Sequence, residues 1–409
     1  MNKEKILEKI NLLGEFAVYL FIFFIFINSK MTYKIGYILE GLTVIKIFLD
    51  WNDIKEKLAK GKKIYLTFVI ILIIGMLFNY FSSVSDGVET FRKRNIPFIW
   101  GIIILLFIDN QEKLKKAAAI IFLGLLVLSI GVIKNFSIIK LDLIRQRGVL
   151  TLASSYSMIY LLESLQKFKE KNKLEILIVS IISILGLLGI EYSDSRMGFL
   201  VIIGVLGVYL LYILFKNFNI KKLIICSLVF FIGIGGFYQA MSPAFKHEIK
   251  TSFQTKNNFS NEARIIMWQG SWKAFCTHPI IGVGSDVPDT QPYILKAAEE
   301  SNRNQHLKDA FIKEKRFGEA HSIYFNMLAQ VGSLTFIYLF LFFYLIPKRI
   351  LDYKKNEFSM ALFAGITAFY IYGITWSIWG YYGLIQKFYQ ILVALFIIAT
   401  EFNGKEEKK

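Results

Sequence analysis

Several things are scarce in this sequence, and each scarcity excludes a class. Cysteine occurs twice in 409 residues, Cys226 within an apolar run and Cys276 within a polar one. Residues expected at different depths cannot be bridged, so no disulfide framework is expected. No CxxC pair and no Cys/His pattern of the zinc-finger kind occurs. Acidic residues number 31 against 48 Lys and Arg, a formal charge of +17. Yet no lysine block runs into a polar region large enough to hold a duplex, so nucleic acid is not an expected partner. The surplus is better assigned to lysines flanking membrane spans. A cleavable leader is not expected either. Lys3, Lys5 and Lys9 precede an apolar run from Ile10 to Asn28 that is long for a signal peptide and has no small-residue cleavage site. It reads as a retained first span. No repeat of solenoid period is visible.

Apolar length is plentiful. Hydrophobic residues make up 55% of the chain, above the roughly 45–50% usual for soluble domains. They collect in runs near 10–29, 35–50, 64–82, 96–109, 117–133, 149–163, 174–190, 197–215, 223–241, 321–347, 357–378 and 383–401. Measured against the ~20 residues a bilayer requires, these predict about twelve transmembrane helices in an all-α polytopic membrane protein. The second, fourth and sixth runs are weak. The sixth, rich in small and hydroxyl side chains, has the composition of a helix packed inside a bundle. Only one long polar stretch interrupts the pattern, 242–320. The expected organisation is nine spans in 1–241, a large extracytoplasmic loop with amphipathic helices in 242–320, three spans in 321–401 and a cytoplasmic tail at 402–409.

Lysine sets the orientation. With the N-terminus inside, the inner loops become 51–63, 110–116, 166–173, 216–222, 348–355 and the tail, each basic. This satisfies the positive-inside rule and places 242–320 outside. Arginine behaves differently. Of nine arginines, only Arg349 falls inside. Arg92, Arg94, Arg145, Arg147, Arg196, Arg264, Arg303 and Arg316 fall outside. A guanidinium matches phosphate oxygens with a planar fork of donors and keeps its charge when partly buried. An outer cavity lined with arginine therefore suits a phosphate-bearing ligand. Lipid headgroups offer the plainer use, and Arg92, Arg94, Arg303 and Arg316 are assigned to it.

Arg196 lies in a very short outer turn, EYSDSRMGFL, where a charge stays at the membrane edge. Asp194 is its nearest candidate partner. Arg264 lies in SNEARIIMWQGSWKAF, a predicted helix capped by Ser260 or Asn261, with Arg264 in its first turn and Glu262 as local partner. Ile265, Trp268, Trp272 and Phe275 recur at helical spacing as its apolar face. Pro279 ends this helix, and Gly282 and Gly284 permit a tight turn with close backbone approach. His321 opens the next span, where an imidazole can exchange a proton near neutral pH. Ser322, Asn326 and Gln330 follow on one stripe expected to face protein. All four histidines, His247, His278, His306 and His321, lie in the polar stretch or at its exit. Arg147 joins the cavity candidates, with Gly148 expected to let the chain bend into the sixth span.

Four of these pieces occur in the order of a known pattern: RQRG before a central span, SRMG at a short outer turn, ARIIMWQGSWKAFCTHPIIGVGSD in the large loop, and HSIYFNMLAQVG at the following span. Over about 145–332 the chain resembles the O-antigen ligase and polymerase superfamily of bacterial envelope glycosyltransferases. Ser322 departs from the asparagine common after the family's histidine. The resemblance implies about twelve transmembrane helices, a large periplasmic loop and a GT-C-like fold in the bacterial inner (plasma) membrane. It implies a glycan donor on a polyprenyl diphosphate, and lipid A–core oligosaccharide (ligase) or a growing lipid-linked glycan (polymerase) as acceptor. It implies catalysis without a metal or other cofactor, and no DxD-like pair stands in the outer loop. Carried over, Arg196 and Arg264 would bind the diphosphate, and His321 would activate the acceptor hydroxyl or position the donor. Arg147, Gly282, Gly284 and Asn326 join them as substrate-binding candidates. Modest length and one dominant loop favour ligase over polymerase. A carrier of lipid-linked sugars would also use outer arginines, but it would bury charges deep in several spans. Here membrane-depth ions are few: Glu40, Lys46 and Lys387.

Overall fold

The computed structural model describes residues 3–82, 86–134, 143–216, 220–256, 258–315, 317–352, 357–377 and 383–401. Among the described residues every regular element is helical. The first half holds α1 (Lys3–Ile27), α2 (Ser29–Leu49), α3 (Trp51–Ser82), α4 (Gly87–Asn95), α5 (Phe98–Phe107), α6 (Gln111–Lys134), α7 (Leu143–Gln166), α8 (Lys173–Tyr192), α9 (Arg196–Lys216) and α10 (Ile220–Ala240). The polar stretch folds as α11 (Pro243–Thr251), α12 (Phe259–Thr277), α13 (Val287–Glu300) and α14 (Gln305–Ile312). The chain returns through α15 (Ile323–Val331), α16 (Thr335–Phe340) and α17 (Ile346–Asp352), and ends with α18 (Glu357–Tyr372) and α19 (Gly383–Glu401).

Seven helices among the described residues are long and apolar enough to cross a membrane: α1, α3, α6, α8, α9, the segment Ile323–Asp352 and α19. The other five apolar runs lie on α2, α5, α7, α10 and α18. The chain is thus a polytopic helical membrane protein, and the expected number of twelve crossings rests on the sequence pattern alone. Among the seven, α19 is the least apolar and by far the most buried. It packs against α1, α3, α5, α6, α7 and α18. Lipid solvates apolar side chains as well as protein does, so hydrophobicity does not draw a span inward, and polar side chains do better facing protein. Gln386, Lys387 and Gln390 on α19 are all buried. The serine-rich α7 behaves as its composition predicts. Its side chains from Val149 to Tyr160 are almost all buried, and Ser157 and Ser183 share a hydrogen bond of 2.6 Å across to α8. By contrast α2 lies at the edge, with Tyr37, Ile38 and Phe48 exposed. Gly148 marks no bend. It sits inside α7, where a Cβ would strike Ile385 of α19.

At the end assigned to the cytoplasm, charges form a closed cluster. Asp53 pairs with Lys46 at 3.1 Å and Lys57 at 3.0 Å, and Asp109 pairs with Lys57 at 2.7 Å and Lys113 at 3.0 Å. Lys113 also reaches Glu15 at 3.5 Å. Lys46 and Lys57 both donate to the Leu106 carbonyl. The cluster ties α1, α2, α3 and the α5–α6 turn together. Arg349 closes the same end through Glu401 at 2.8 Å.

The loop has its own small core of Ala263, Ile266, Met267, Ile294, Ala297, Ala298, Leu307 and Phe311. It corrects two expectations for α12. First, Asn258 caps the helix, accepting the Asn261 N–H at 3.2 Å, so the helix starts earlier and Arg264 falls in its second turn. Second, α12 packs two faces in place of one: the tryptophan face meets α15 through Trp268, and Ala263, Ile266, Met267 and Gly270 pack in the loop core. At Gly270 a Cβ would lie 2.5 Å from the Ile294 backbone, so glycine lets α13 approach. Trp272 is half exposed, and Trp268 stacks on Phe325 at 5.2 Å. Bulky apolar side chains there would hold the two helices apart.

Candidate active site

Three arginines converge where the loop meets the bundle. Arg147 comes from α7, Arg196 is the first residue of α9, and Arg264 comes from α12. They line one cavity of about 490 Å³ with Asp194, Glu248, Asn261, Trp268, Tyr372, Thr375 and Trp376. The turn before Arg196 is held by local bonds. Asp194 takes a left-handed φ of 52°, and the Ser195 hydroxyl accepts the Gly198 N–H at 3.2 Å. This fixes where the guanidinium leaves the helix. Its ion pair is with Glu248 of α11 at 3.2 Å, in place of the expected Asp194.

Arg264 has no carboxylate of its own among the pairs described. Glu262, the expected partner, pairs instead with Arg303 at 3.5 Å. Arg264 donates to the uncharged Asn261 side chain at 3.2 Å. Burial, and then the Arg196 charge, hold its proton affinity below the usual arginine value, with Tyr372 acting in the opposite sense. Arg147 has a buried Nε without a hydrogen-bond partner. Two acids face three arginines, so the cavity carries excess positive charge.

His321 stands beside this cavity. Its φ of 47° is left-handed, a costly conformation for a residue with a side chain. A polar brace fixes it. Asn326 accepts the Ala320 N–H at 2.7 Å and donates to Ser377 at 2.7 Å, and the Ile323 N–H binds the Gly373 carbonyl at 2.9 Å. Arg94 pairs with Glu319 at 2.5 Å and donates to Gln330 at 3.0 Å. The His321 ring meets Trp376 edge to face at 6.1 Å. With Phe259, Ser260, Ala263, Arg264, Met267 and Phe317 it lines a second cavity of about 250 Å³. Burial first, then the Arg264 charge, push the imidazole below the ordinary histidine value, and Glu319 pulls it back up. His321 is thus poised as a neutral ring at neutral pH.

The remaining candidates sit elsewhere. Gly282 has φ 73°, and a Cβ there would lie 2.4 Å from the Gln330 carbonyl carbon. The N–H groups of Val283 and Gly284 bind the carbonyls of Ala329 and Gln330. The glycine turn therefore docks on the end of α15 and lines neither cavity. Asn326 braces the backbone, and Ser322, Asn326 and Gln330 are all buried, as the stripe predicts. His247 and His278 are exposed, and the exposed His306 rests on Phe259 at 5.6 Å. Arg316 and the Arg145 side chain lie outside the described residues.

Sequence reasoning missed Arg94, Glu319, Glu248, Tyr372 and Trp376. Arg94 was assigned to lipid headgroups but is buried. The lone acid two residues before His321 was the one available signal. Nothing in the chain order brings Tyr372 or Trp376 to Arg196.

A polytopic helical bundle with a cationic pocket under a cap of loop helices is the class these features define. The family model described as O-antigen ligase matches residues 181–340, from α8 through α16. The matched segment is thus similar to the O-antigen ligase and polymerase superfamily. Arg196, Arg264 and His321 fall inside the matched segment, whereas Arg147, Tyr372 and Trp376 fall outside it. No curated protein matches the chain.

Proposed function

We propose that the protein is an O-antigen ligase-like glycosyltransferase. It moves a glycan from a polyprenyl diphosphate to lipid A–core oligosaccharide at the periplasmic face of the inner membrane. The observation that carries this reading is the convergence of Arg147, Arg196 and Arg264 on one cavity holding only two acids. A leaving diphosphate develops negative charge as its bond to the anomeric carbon breaks. Preplaced guanidinium groups stabilise that charge without a metal, each worth roughly 3 kcal/mol of barrier by analogy with single oxyanion donors. The acceptor hydroxyl forms the new bond to the anomeric carbon, the diphosphate leaves with the electron pair, and the hydroxyl proton passes to a base. His321 serves this step by activating the acceptor or by positioning the donor. In this reading twelve spans carry a GT-C-like cap on the outer face, with the cavity at the level of outer-leaflet headgroups.

The test is transfer by the purified protein, given labelled lipid-linked glycan and either lipid A–core or lipid-linked acceptor. Label on lipid A–core supports ligation. Label found only in extended lipid-linked chains replaces the ligase reading with the repeat-unit polymerase. Undiminished transfer by Arg196→Ala, Arg264→Ala and His321→Ala variants would sink both.

A further inference from the structure

A cavity of about 690 Å³ lies between α6 and α8, at the end of the bundle away from the arginines. Two helices run from one site to the other. On α7 Arg147 lines the arginine cavity and Tyr160 lines this one, and on α18 Tyr372 lines the first and Glu357 the second. We infer that this groove holds one anionic phospholipid of the leaflet at the end assigned to the cytoplasm, with its phosphate at Lys115 and an acyl chain along the groove.

The shape of the groove selects its occupant. One stripe of α6 from Lys115 to Leu126 faces one of α8 from Leu174 to Ile182, and Tyr160 and Phe358 form the back with rings 5.1 Å apart. Lys115 to Leu126 is about 16 Å of helix, close to the ~15 Å of hydrocarbon in one leaflet. Beyond that depth the helices close. A Cβ at Gly189 would meet the Ser129 backbone of α6 at 3.4 Å, and one at Gly186 would lie 2.6 Å from Ser154 and 3.6 Å from Leu125. These glycines let α8 approach α6 and α7 in the other half of the bilayer. A partner helix crosses the whole bilayer and needs a seam of full length. A phospholipid ends at the midplane, as this groove does.

The polar groups are gathered at one end, as an amphiphile requires. Lys115, Lys171, Asn172, Glu175 and Glu357 stand at the mouth, and the side chains beyond them are apolar apart from the Tyr160 hydroxyl, which donates back to Glu175 at 2.7 Å. Charge selects the head. Lys171 is held between Glu357 at 2.6 Å and Glu175 at 3.6 Å, and Lys116 pairs with Glu112 at 2.8 Å. Among the described residues Lys115 and, in the adjoining turn, Lys169 and Lys173 are exposed and make no ion pair, against one such acid, Glu170. A mouth with surplus positive charge between spans favours an anionic headgroup over a zwitterionic one.

The full-length protein in detergent tests this with two added lipids of identical chains, phosphatidylglycerol and phosphatidylcholine. Native mass spectrometry reads retention, and thermal unfolding reads the gain in stability. One phosphatidylglycerol is expected to be retained, at about fivefold lower concentration than phosphatidylcholine, and to raise the melting temperature. Lys115→Gln should weaken that retention about fivefold, the loss of one lysine at a membrane surface. Ala119→Trp, which fills the groove, should abolish both the retention and the thermal gain. Lys62→Gln, an exposed lysine of α3 that does not line the groove, should change neither. Retention indifferent to Lys115→Gln and Ala119→Trp means surrounding lipid only and overturns the site. Equal retention of the two lipids overturns the anionic head. A wild-type dimer that Ala119→Trp converts to monomer overturns the lipid in favour of a second copy. Lys115→Gln is a surface change and decides by itself where the tryptophan impairs folding.

Discussion

The two ends of the bundle treat charge in opposite ways. At the inner end Lys46, Lys57 and Lys113 face Asp53, Asp109 and Glu15, and the pairs close on one another. At the end assigned to the outside Arg147, Arg196 and Arg264 share a cavity with Glu248 and Asp194, and among the described residues only Arg196 makes an ion pair there. A closed set satisfies itself and ties helices together, and removing one member strands the others. An open set is costly until something anionic arrives, and that deficit is what a ligand can use. The same residue class is therefore structural at one end and available for binding at the other.

Several substitutions should break or sharpen this contrast. The largest effect on transfer is expected at Arg264. Arg264→Ala should lower the rate by about 10²–10³-fold, with folding little changed because no carboxylate loses its partner. Transfer assays beside thermal unfolding in detergent check both halves. The inner end should answer in reverse. Lys57→Met leaves Asp53 and Asp109 underpaired and should cost about 3–5 kcal/mol of stability. The surviving folded fraction should keep near-normal specific activity. Thr375→Glu adds an acid to the outer cavity and makes it resemble the inner cluster. Pyrophosphate binding should weaken at least tenfold while thermal stability holds or rises, as calorimetry and unfolding curves would show.

Two smaller effects probe the brace around His321. Arg94→Met strands Glu319 and frees the Gln330 amide, and should lower stability and kcat together. The pH dependence gives a finer measure. As the proposed base His321 would act in its neutral form, and its folded value is depressed, so activity should persist below the ordinary histidine range and fall as pH drops through that depressed value. Glu319→Gln removes the charge that raises the value and should move the acid limb to lower pH. Arg264→Gln removes the charge that lowers it and should move the limb to higher pH. A limb unmoved by either change would mean that His321 is not the titrating base.

Much of this molecule was legible in its sequence. Run length determined the helices, because a bilayer leaves a spanning segment few other ways to satisfy its backbone. The lysine and arginine split drew attention to Arg147, Arg196 and Arg264, which the structure brings to one cavity, but not to the pairing of Arg94 and Arg303 within the protein. His321, Arg196 and Arg264 could be singled out, because polar residues at span ends are few and each stands out. Other features required the tertiary structure. Whether Arg196 meets Glu248 or Asp194 depends on where α11 lands. Whether Arg94 touches lipid or Glu319 depends on how α4 packs beside the loop. The glycine turn looked suited to a ligand, yet the backbone that approaches it closely is that of α15. On α12 the sequence determined a helix with a tryptophan face, but the approach of α13 to a second face depends on Gly270, where a Cβ would strike the Ile294 backbone. Local composition fixes what each segment can become. The assignment of one arginine to a neighbour, to lipid or to a substrate is a long-range choice, made when helices far apart in the chain come together.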